Sequence, residues 1–418
     1  MQFMKAFLEF FTLTDPNIRY VVLGTMLLTS SAAIVGTFTL LKKKALLGDA
    51  TAHAAFPGIC IAFMLTGTKH PIYLAIGAFT TGWIALLLID ILIKHSKIKE
   101  DIATALLLSV TFGIGTLLLS IIQNTSNAAQ LGLNNYLFGK AAALLGEDLL
   151  VLGILSIAIL LTVVGLFKEF TLIAFDKAFA ESIHMRVNLL EFVFTSLIVL
   201  AIVIGIRAVG IVLMAAMLIT PAAAARFWTD RLTKMIGLAA LFGAISGLLG
   251  SFVSYLFPGM PTGPWIVLIV TAIAYISFLF APHKGLLAKK LRQYKHQNKI
   301  LQENILKLFY EIGEEKGDFF GNCSTEELMQ HRAIPHNKLI RGLVSLEKAS
   351  LLYYKGNKWR LTGAGKNEGE RIAQRHRLWE LYLTKYLKTK PAYIHENAEL
   401  IEHVLTPELV KELNKLLN

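Results

Sequence analysis

Long apolar runs dominate the first two thirds of the chain. Runs of roughly 20 apolar residues, the length that crosses a hydrocarbon core, fall near 18–41, 46–66, 71–93, 101–122, 148–167, 189–206, 208–226, 235–257 and 264–281. Arg207 and Pro221 interrupt the 208–226 run, so it reads either as a full span or as a broken, re-entrant helix. The expectation is eight or nine spans. Between 168 and 188 the pattern changes to helical spacing, with Phe170, Ile173, Ala174, Phe179 and Ile183 as the apolar positions. That segment is expected to be an amphipathic helix, either lying at the membrane surface or docking a partner protein.

After Ala281 the character changes again. Residues 284–300 are basic and helical, and Glu303–Glu315 has helical period. Thr325–Gln330 and Pro335–Ala349 read as two short helices. Leu351–Tyr354, a Lys355-Gly-Asn-Lys turn and Trp359-Arg-Leu read as a β-hairpin. Further helices are expected near 363–388, 393–404 and 407–417. Helix, helix, helix, hairpin is the order of a winged helix-turn-helix. The fold class is mainly α: a polytopic helical membrane domain at 1–283, a linker helix at 284–300, and a winged helix-turn-helix plus helical dimerisation-type domain at 301–418.

Composition agrees with the pattern. Of 418 residues, 55% are hydrophobic and 17% charged, against about a quarter charged in an ordinary soluble domain. This excludes a soluble enzyme. The net charge is +12. Up to Gly285 there are 18 Lys and Arg against 13 Asp and Glu; from Leu286 on there are 23 against 16. The basic tail suits a cytoplasmic position beside nucleic acid or anionic lipid. Lys42–Lys44, Lys94, Lys97 and Lys99, Lys168, Lys177 and Arg186, Arg226, Arg231 and Lys234, and Lys284 to Arg292 mark alternate loops. The positive-inside rule places those loops, and the tail, in the cytoplasm if the N-terminus is outside and nine spans exist. The first residues show no Ala-x-Ala-like cleavage site, so the first apolar run is expected to insert and stay. Cys60 and Cys323 fall one in each part, and give neither a disulfide framework nor a Cys-rich metal site.

Three constellations carry chemistry. Asp49 and His53 stand at i and i+4, on one face of an apolar span. Ionisable groups are costly there and usually functional, and oxygen with imidazole suits a first-row divalent cation; the other reading is an intrahelical pair that orients the helix end. His376 and Glu380 share a second face, and His395, Glu399, Glu402 and His403 a third. Two such faces form a metal site or remain a solvated charged surface. Along 335–348, His336, Asn337, Lys338 and Arg341 face outward while Leu339, Leu343 and Leu346 face a core. The outward set fits major-groove reading, or a protein-binding winged helix. No G-x-x-x-x-G-K-[ST] phosphate loop occurs, so the chain cannot harness ATP by itself.

The membrane half resembles the manganese/zinc/iron permease family of ABC importers. The marks are Leu47-Gly-Asp-Ala50 with His53 and Pro57-Gly58, Lys99-Glu-Asp101, Tyr136-Leu-Phe-Gly139, Phe175-Asp176 with Ala180, Val209-Gly210 and Thr220-Pro-Ala-Ala223. The tail, about 300–418, resembles the metal-dependent repressors related to the diphtheria toxin repressor and the manganese transport regulator, through Leu361-Thr-Gly, His376-Arg-Leu-Trp-Glu380 and the His395 to His403 run. The resemblance implies a transmembrane subunit of an ATP-driven importer in a bacterial cytoplasmic (inner) membrane. Its substrate would be a divalent metal, Mn²⁺ favoured and Zn²⁺ or Fe²⁺ also accommodated. Asp49 and His53 would lie on the transport pathway. Phe175, Asp176, Phe179 and Ala180 would contact an ATPase subunit. The other implied partners are an extracytoplasmic metal-binding protein and a second permease subunit. It also implies effector metal at His376, Glu380, His395, Glu399, Glu402 and His403, and DNA contact through His336, Asn337, Lys338 and Arg341. Glu399 leans toward manganese. Asn304 and Lys307 depart from the repressors' first-helix ligands. The alternative is a membrane-tethered metal-dependent transcription regulator; a secondary carrier is disfavoured by the Phe175-Asp176 loop.

Overall fold

The structure, a computed structural model, describes residues 2–124, 139, 146–257 and 259–385. Chain contacts divide it into two units, Met1–Ala288 and Lys289–Asn418.

The first unit is helical throughout its described residues. A short α1 (Gln2–Thr12) precedes α2 (Pro16–Leu41), α3 (Ala45–Thr66), α4 (Pro71–His95), α5 (Glu100–Gln123), α6 (Gly146–Gly165), α7 (Phe167–Phe175), α8 (Lys177–Ser182), α9 (Val187–Val209), α10 (Ile211–Trp228), α11 (Leu232–Leu256) and α12 (Thr262–Phe280). Among the described residues nine of these, α2–α6 and α9–α12, are long and apolar enough to cross a membrane. The run near 208–226 is therefore a continuous helix from Ile211 onward. Gly210, at φ 92, breaks it from α9, and Pro221 sits inside α10, as membrane helices tolerate. The pattern gave no hint of α1, which packs Phe10 against Phe252 of α11.

Lipid offers no hydrophobic drive between helices, so close backbone approach and hydrogen bonds must hold them. That chemistry is visible around α2. Thr29 Oγ1 donates to the Gly243 carbonyl at 2.7 Å, and the Thr25 and Ser251 hydroxyls meet at 2.9 Å. A Cβ on Gly36 would stand 1.6 Å from the Leu218 carbonyl oxygen of α10, and one on Gly58 of α3 would stand 2.1 Å from the Gly77 carbonyl oxygen of α4. Larger residues at either position force the helices apart. α3 is thereby wedged among α4, α5, α9 and α10.

The segment near 168–188 is two helices where the periodicity predicts one. Asp176 separates α7 from α8, its carboxylate accepting the Phe179 amide at 2.9 Å. Aspartate is a weak helix-interior residue and a strong N-cap, so the break falls on it.

The basic stretch and the following helix are one element, α13 (Leu286–Lys316), since no Gly or Pro interrupts 286–312. Then come α14 (Thr325–His331), α15 (His336–Lys348), β1 (Leu352–Lys355), β2 (Lys358–Leu361) and α16 (Gly363–Lys385). Ser324 and Glu327 close a capping box at the start of α14. The antiparallel hairpin pairs Leu352 with Leu361 and Tyr354 with Trp359. Its two turn residues, Gly356 and Asn357, both have positive φ, the combination a two-residue turn needs to match strand twist. Cys323 adds a third backbone pairing to Trp359. Ile305, Leu308, Phe309, Ile312, Leu328, Leu339, Leu343, Leu346, Trp359, Leu361 and Ile372 share one core. The unit thus has the winged-helix order. Expected helices at 393–404 and 407–417 lie outside the described residues.

Candidate metal pathway and docking surface

The first turns of α3 carry the chemistry of the membrane unit. The helix starts after a tight reversal at Lys42–Lys44, where Lys43 has φ 59. Asp49 falls in its second turn and His53 one turn later. Their facing atoms, Asp49 Oδ1 and His53 Nε2, are 3.5 Å apart. The imidazole is 12% exposed and the carboxylate 36%. Phe112 of α5 meets the ring edge-on at a centroid distance of 4.9 Å. His53 Nδ1 is buried with no hydrogen-bond partner. A buried orphan nitrogen is costly, and a neutral imidazole with a free lone pair is a metal donor. The carboxylate is open while the ring is held, so the pair has one rigid donor and one accessible donor.

Two donors do not complete a coordination sphere. Among the described residues no three His, Cys, Asp or Glu side chains come together as a metal-binding group.

On α7 and α8 the side chains divide sharply. Phe170, Ile173 and Ala180 are buried, while Phe175 is 63% exposed, Phe179 52% and Ile183 49%. The expected apolar stripe is therefore split: part anchors the segment and part is presented outward. Three large apolar side chains are thus held outward on and just after this short pair of helices, an exposed apolar surface of the kind that marks interaction sites.

Lys42 closes α2 and reaches Glu191 on α9, Nζ to Oε2 2.7 Å, with side chains 7% and 23% exposed. Burial holds its ammonium below the usual lysine range, against the opposing pull of the Glu191 carboxylate. The motifs gave no signal for this pair, because its partners lie 149 residues apart.

In the second unit His376 is buried and its Nε2 lies 2.9 Å from Glu380 Oε1. These two donors fit a hard divalent cation. His395, Glu399, Glu402 and His403 lie outside the described residues. Lys307 is 1% exposed on α13, and the neighbouring Asn304 has a buried Oδ1 without a hydrogen-bond partner. His336, Asn337, Lys338 and Arg341 are exposed on α15, with Leu339, Leu343 and Leu346 buried on its other side. Burial raises the Cys323 thiol above its usual range, which makes it an inert core residue.

Comparison with known proteins follows this division. Residues 14–281 match the model of the ABC 3 transport family. Residues 362–418 match that of the iron dependent repressor, metal binding and dimerisation domain. A manganese transport system membrane protein, MntC of Bacillus subtilis (strain 168), is 39% identical over 373 residues, 89% of this chain and 85% of the relative. A zinc transport system membrane protein, TroC of Treponema pallidum (strain Nichols), is 41% identical over 300 residues, 72% of this chain and 99% of the relative. The solved structure of PsaBC from Streptococcus pneumoniae in complex with Fab contains a chain with TM-score 0.61 and 31% identity, covering 68% of this chain and 99% of that one.

Proposed function

The chain belongs to the ABC 3 transport family, and from that premise we propose that it forms the membrane pathway of an ATP-driven importer of a divalent transition metal. It is a multi-pass protein of the bacterial inner membrane and a transport subunit, with ATP hydrolysis on a separate ATPase. The relatives named for manganese and zinc transport support a divalent metal as substrate.

The observation that carries the pathway assignment is the Asp49–His53 pair on α3, with the ring half-committed and its second nitrogen unpartnered. A carboxylate oxygen and a neutral imidazole nitrogen suit manganese, ferrous iron or zinc. Two donors per chain hold such an ion weakly enough to pass it on. Water, or a second permease subunit facing this one, supplies the remaining ligands. An extracytoplasmic binding protein delivers the ion, and the ATPase docks on Phe175, Asp176 and Phe179; Ala180, expected on that surface, is buried and anchors the segment from within instead. Manganese is favoured because hard oxygen donors accompany the imidazole.

The tail regulates this transport. In this reading the domains run 1–283 for the permease, 284–300 for the linker helix and 301–418 for a metal-responsive winged helix. His376 and Glu380 are two ligands of an effector ion, joined by His395, Glu399, Glu402 and His403. Lys307, which stands where the resemblance expects an acidic ligand, weakens that site by like-charge repulsion. The outward set His336, Asn337, Lys338 and Arg341 supports a second reading, a membrane-tethered regulator that contacts DNA.

Uptake of radiolabelled Mn²⁺ into proteoliposomes holding the chain with its ATPase and binding protein tests the main reading, with Zn²⁺ and Fe²⁺ as competitors. ATP-dependent uptake is expected. Salt-sensitive DNA binding with no uptake of any of the three metals would establish the second reading instead.

A further inference from the structure

Lys42 and Glu191 join three parts of the first unit. Lys42 ends α2 and is separated from α3, the helix of Asp49 and His53, by only Lys43 and Lys44. Its ammonium also lies 4.5 Å from the centroid of the Phe194 ring on α9. Phe194 meets Phe170 of α7 at 5.7 Å and Phe38 of α2 at 6.5 Å, and Phe38 meets Phe170 at 5.9 Å, all edge-on. Phe38, Phe170 and Phe194 are at most 3% exposed. Phe170 lies on the same short helix whose end presents Phe175. A continuous packed path therefore runs from the exposed face of α7 and α8, through three rings and one ion pair, to the turn that starts α3.

The ion pair is the costly member of that path. Desolvating two charges offsets most of their attraction, and apolar residues of similar size usually hold such a position as well. Packing alone does not account for a charge pair in this place. A directional link between the end of α2 and the start of α9 does, since an ion pair fixes two helix ends at one separation where apolar contacts slide.

We propose that Lys42 and Glu191 form a strut that transmits displacement of α7 and α8 to the start of α3, and so couples ATP hydrolysis on the docked partner to release of metal from Asp49 and His53. Both are positioning residues: neither touches metal or nucleotide. The proposal rests on the transport and docking reading given above.

The test uses the complete complex in proteoliposomes, with Mn²⁺ uptake and ATP hydrolysis measured on the same vesicles. The variants are Lys42→Met with Glu191→Met, Lys42→Arg, and the exchange Lys42→Glu with Glu191→Lys. In the double methionine variant, recovery of the complex and hydrolysis stay near wild type while Mn²⁺ moved per ATP falls about tenfold, the size of a usual coupling free energy between sites. Lys42→Arg, which keeps the pair, restores at least half of that ratio. The charge exchange keeps more of it than either of its single substitutions. An unchanged ratio in the double methionine variant would overturn the strut, and so would loss of the assembled complex, which makes the pair an assembly contact. Wild-type vesicles that hydrolyse ATP and move no metal would overturn the transport reading, and the strut with it.

Discussion

Two histidine–carboxylate pairs, Asp49–His53 and His376–Glu380, are built on the same local rule and sit in different surroundings. Each spans one helical turn. In the membrane unit the acid comes first, the atoms stand 3.5 Å apart, and the histidine has a buried nitrogen with no partner. In the second unit the histidine comes first and the contact tightens to 2.9 Å. The difference teaches that spacing sets who can meet, while the surroundings set how complete the meeting is. Within the packed membrane helices no neighbour satisfies the leftover nitrogen of His53. His376, packed beneath a polar helix surface, settles on its carboxylate.

The largest expected effect breaks the first pair. Asp49→Ala and His53→Ala each lower Mn²⁺ uptake by at least about 100-fold, because even groups that only orient metal ligands are worth about 10–100-fold. The amount of assembled protein in the membrane is expected to stay unchanged. Uptake at wild-type rates in both variants would remove the pair from the pathway.

Next comes a substitution that separates the two pairs by their dependence on the ATPase. Phe175→Asp is expected to cut ATPase co-purification about tenfold or more, as loss of a large apolar anchor does. Uptake should fall with it, while Mn²⁺ binding by the second unit should not change. Normal recovery of the complex together with normal uptake would contradict docking at α7 and α8.

A smaller effect sharpens the second pair. In full-length protein carrying Asp49→Ala and His53→Ala, calorimetric titration should still detect Mn²⁺ binding, weak because Lys307 stands where the resemblance expects an acidic ligand. Adding His376→Ala should weaken it about tenfold further. Titrations that show no difference on removing His376 would mean that the His376–Glu380 pair serves only packing.

The smallest effect supplies a yardstick for an ordinary ion pair. Lys316 donates to Glu327 at the start of α14 and holds that carboxyl below the usual range. Its contribution is present above the unfolded glutamate pKa of about 4.3 and is lost as pH falls through the lower folded value. Glu327→Gln should therefore cost less than about 1 kcal/mol at pH 7 and progressively less in acid. Hydrogen exchange of the α14 amides, compared at pH 7 and pH 4, reads this out. Equal loss of protection at both values would argue that the cap, not the charge, is responsible.

Much of this molecule was legible in one dimension. The nine apolar runs, the hairpin turn and the buried face of α15 all depend on local periodicity, which a helix or a strand converts directly into a face. Asp49 with His53 and His376 with Glu380 were visible for the same reason: i and i+4 always share a side. The split of 168–188 at Asp176 was within reach, since its capping chemistry is local, but the apolar period masked it. The joining of 284–300 to the next helix was hidden because a continuous helix and two abutting ones have the same pattern.

What lay beyond the sequence depends on pairs distant in the chain. The approach of Gly58 to Gly77 and of Gly36 to Leu218 shows why those positions are small, and only packing names the partners. The orphan nitrogen of His53 is a property of its neighbours, among them Phe112. The Lys42–Glu191 contact joins positions 149 residues apart, with nothing in either local pattern to link them. Which elements form and which side chains share a face follow from the local pattern of residues, because backbone geometry converts that pattern into faces one turn at a time. The tertiary structure alone decided which charges are buried together and which donors remain open, because burial and partnership are set by whatever the rest of the chain brings alongside.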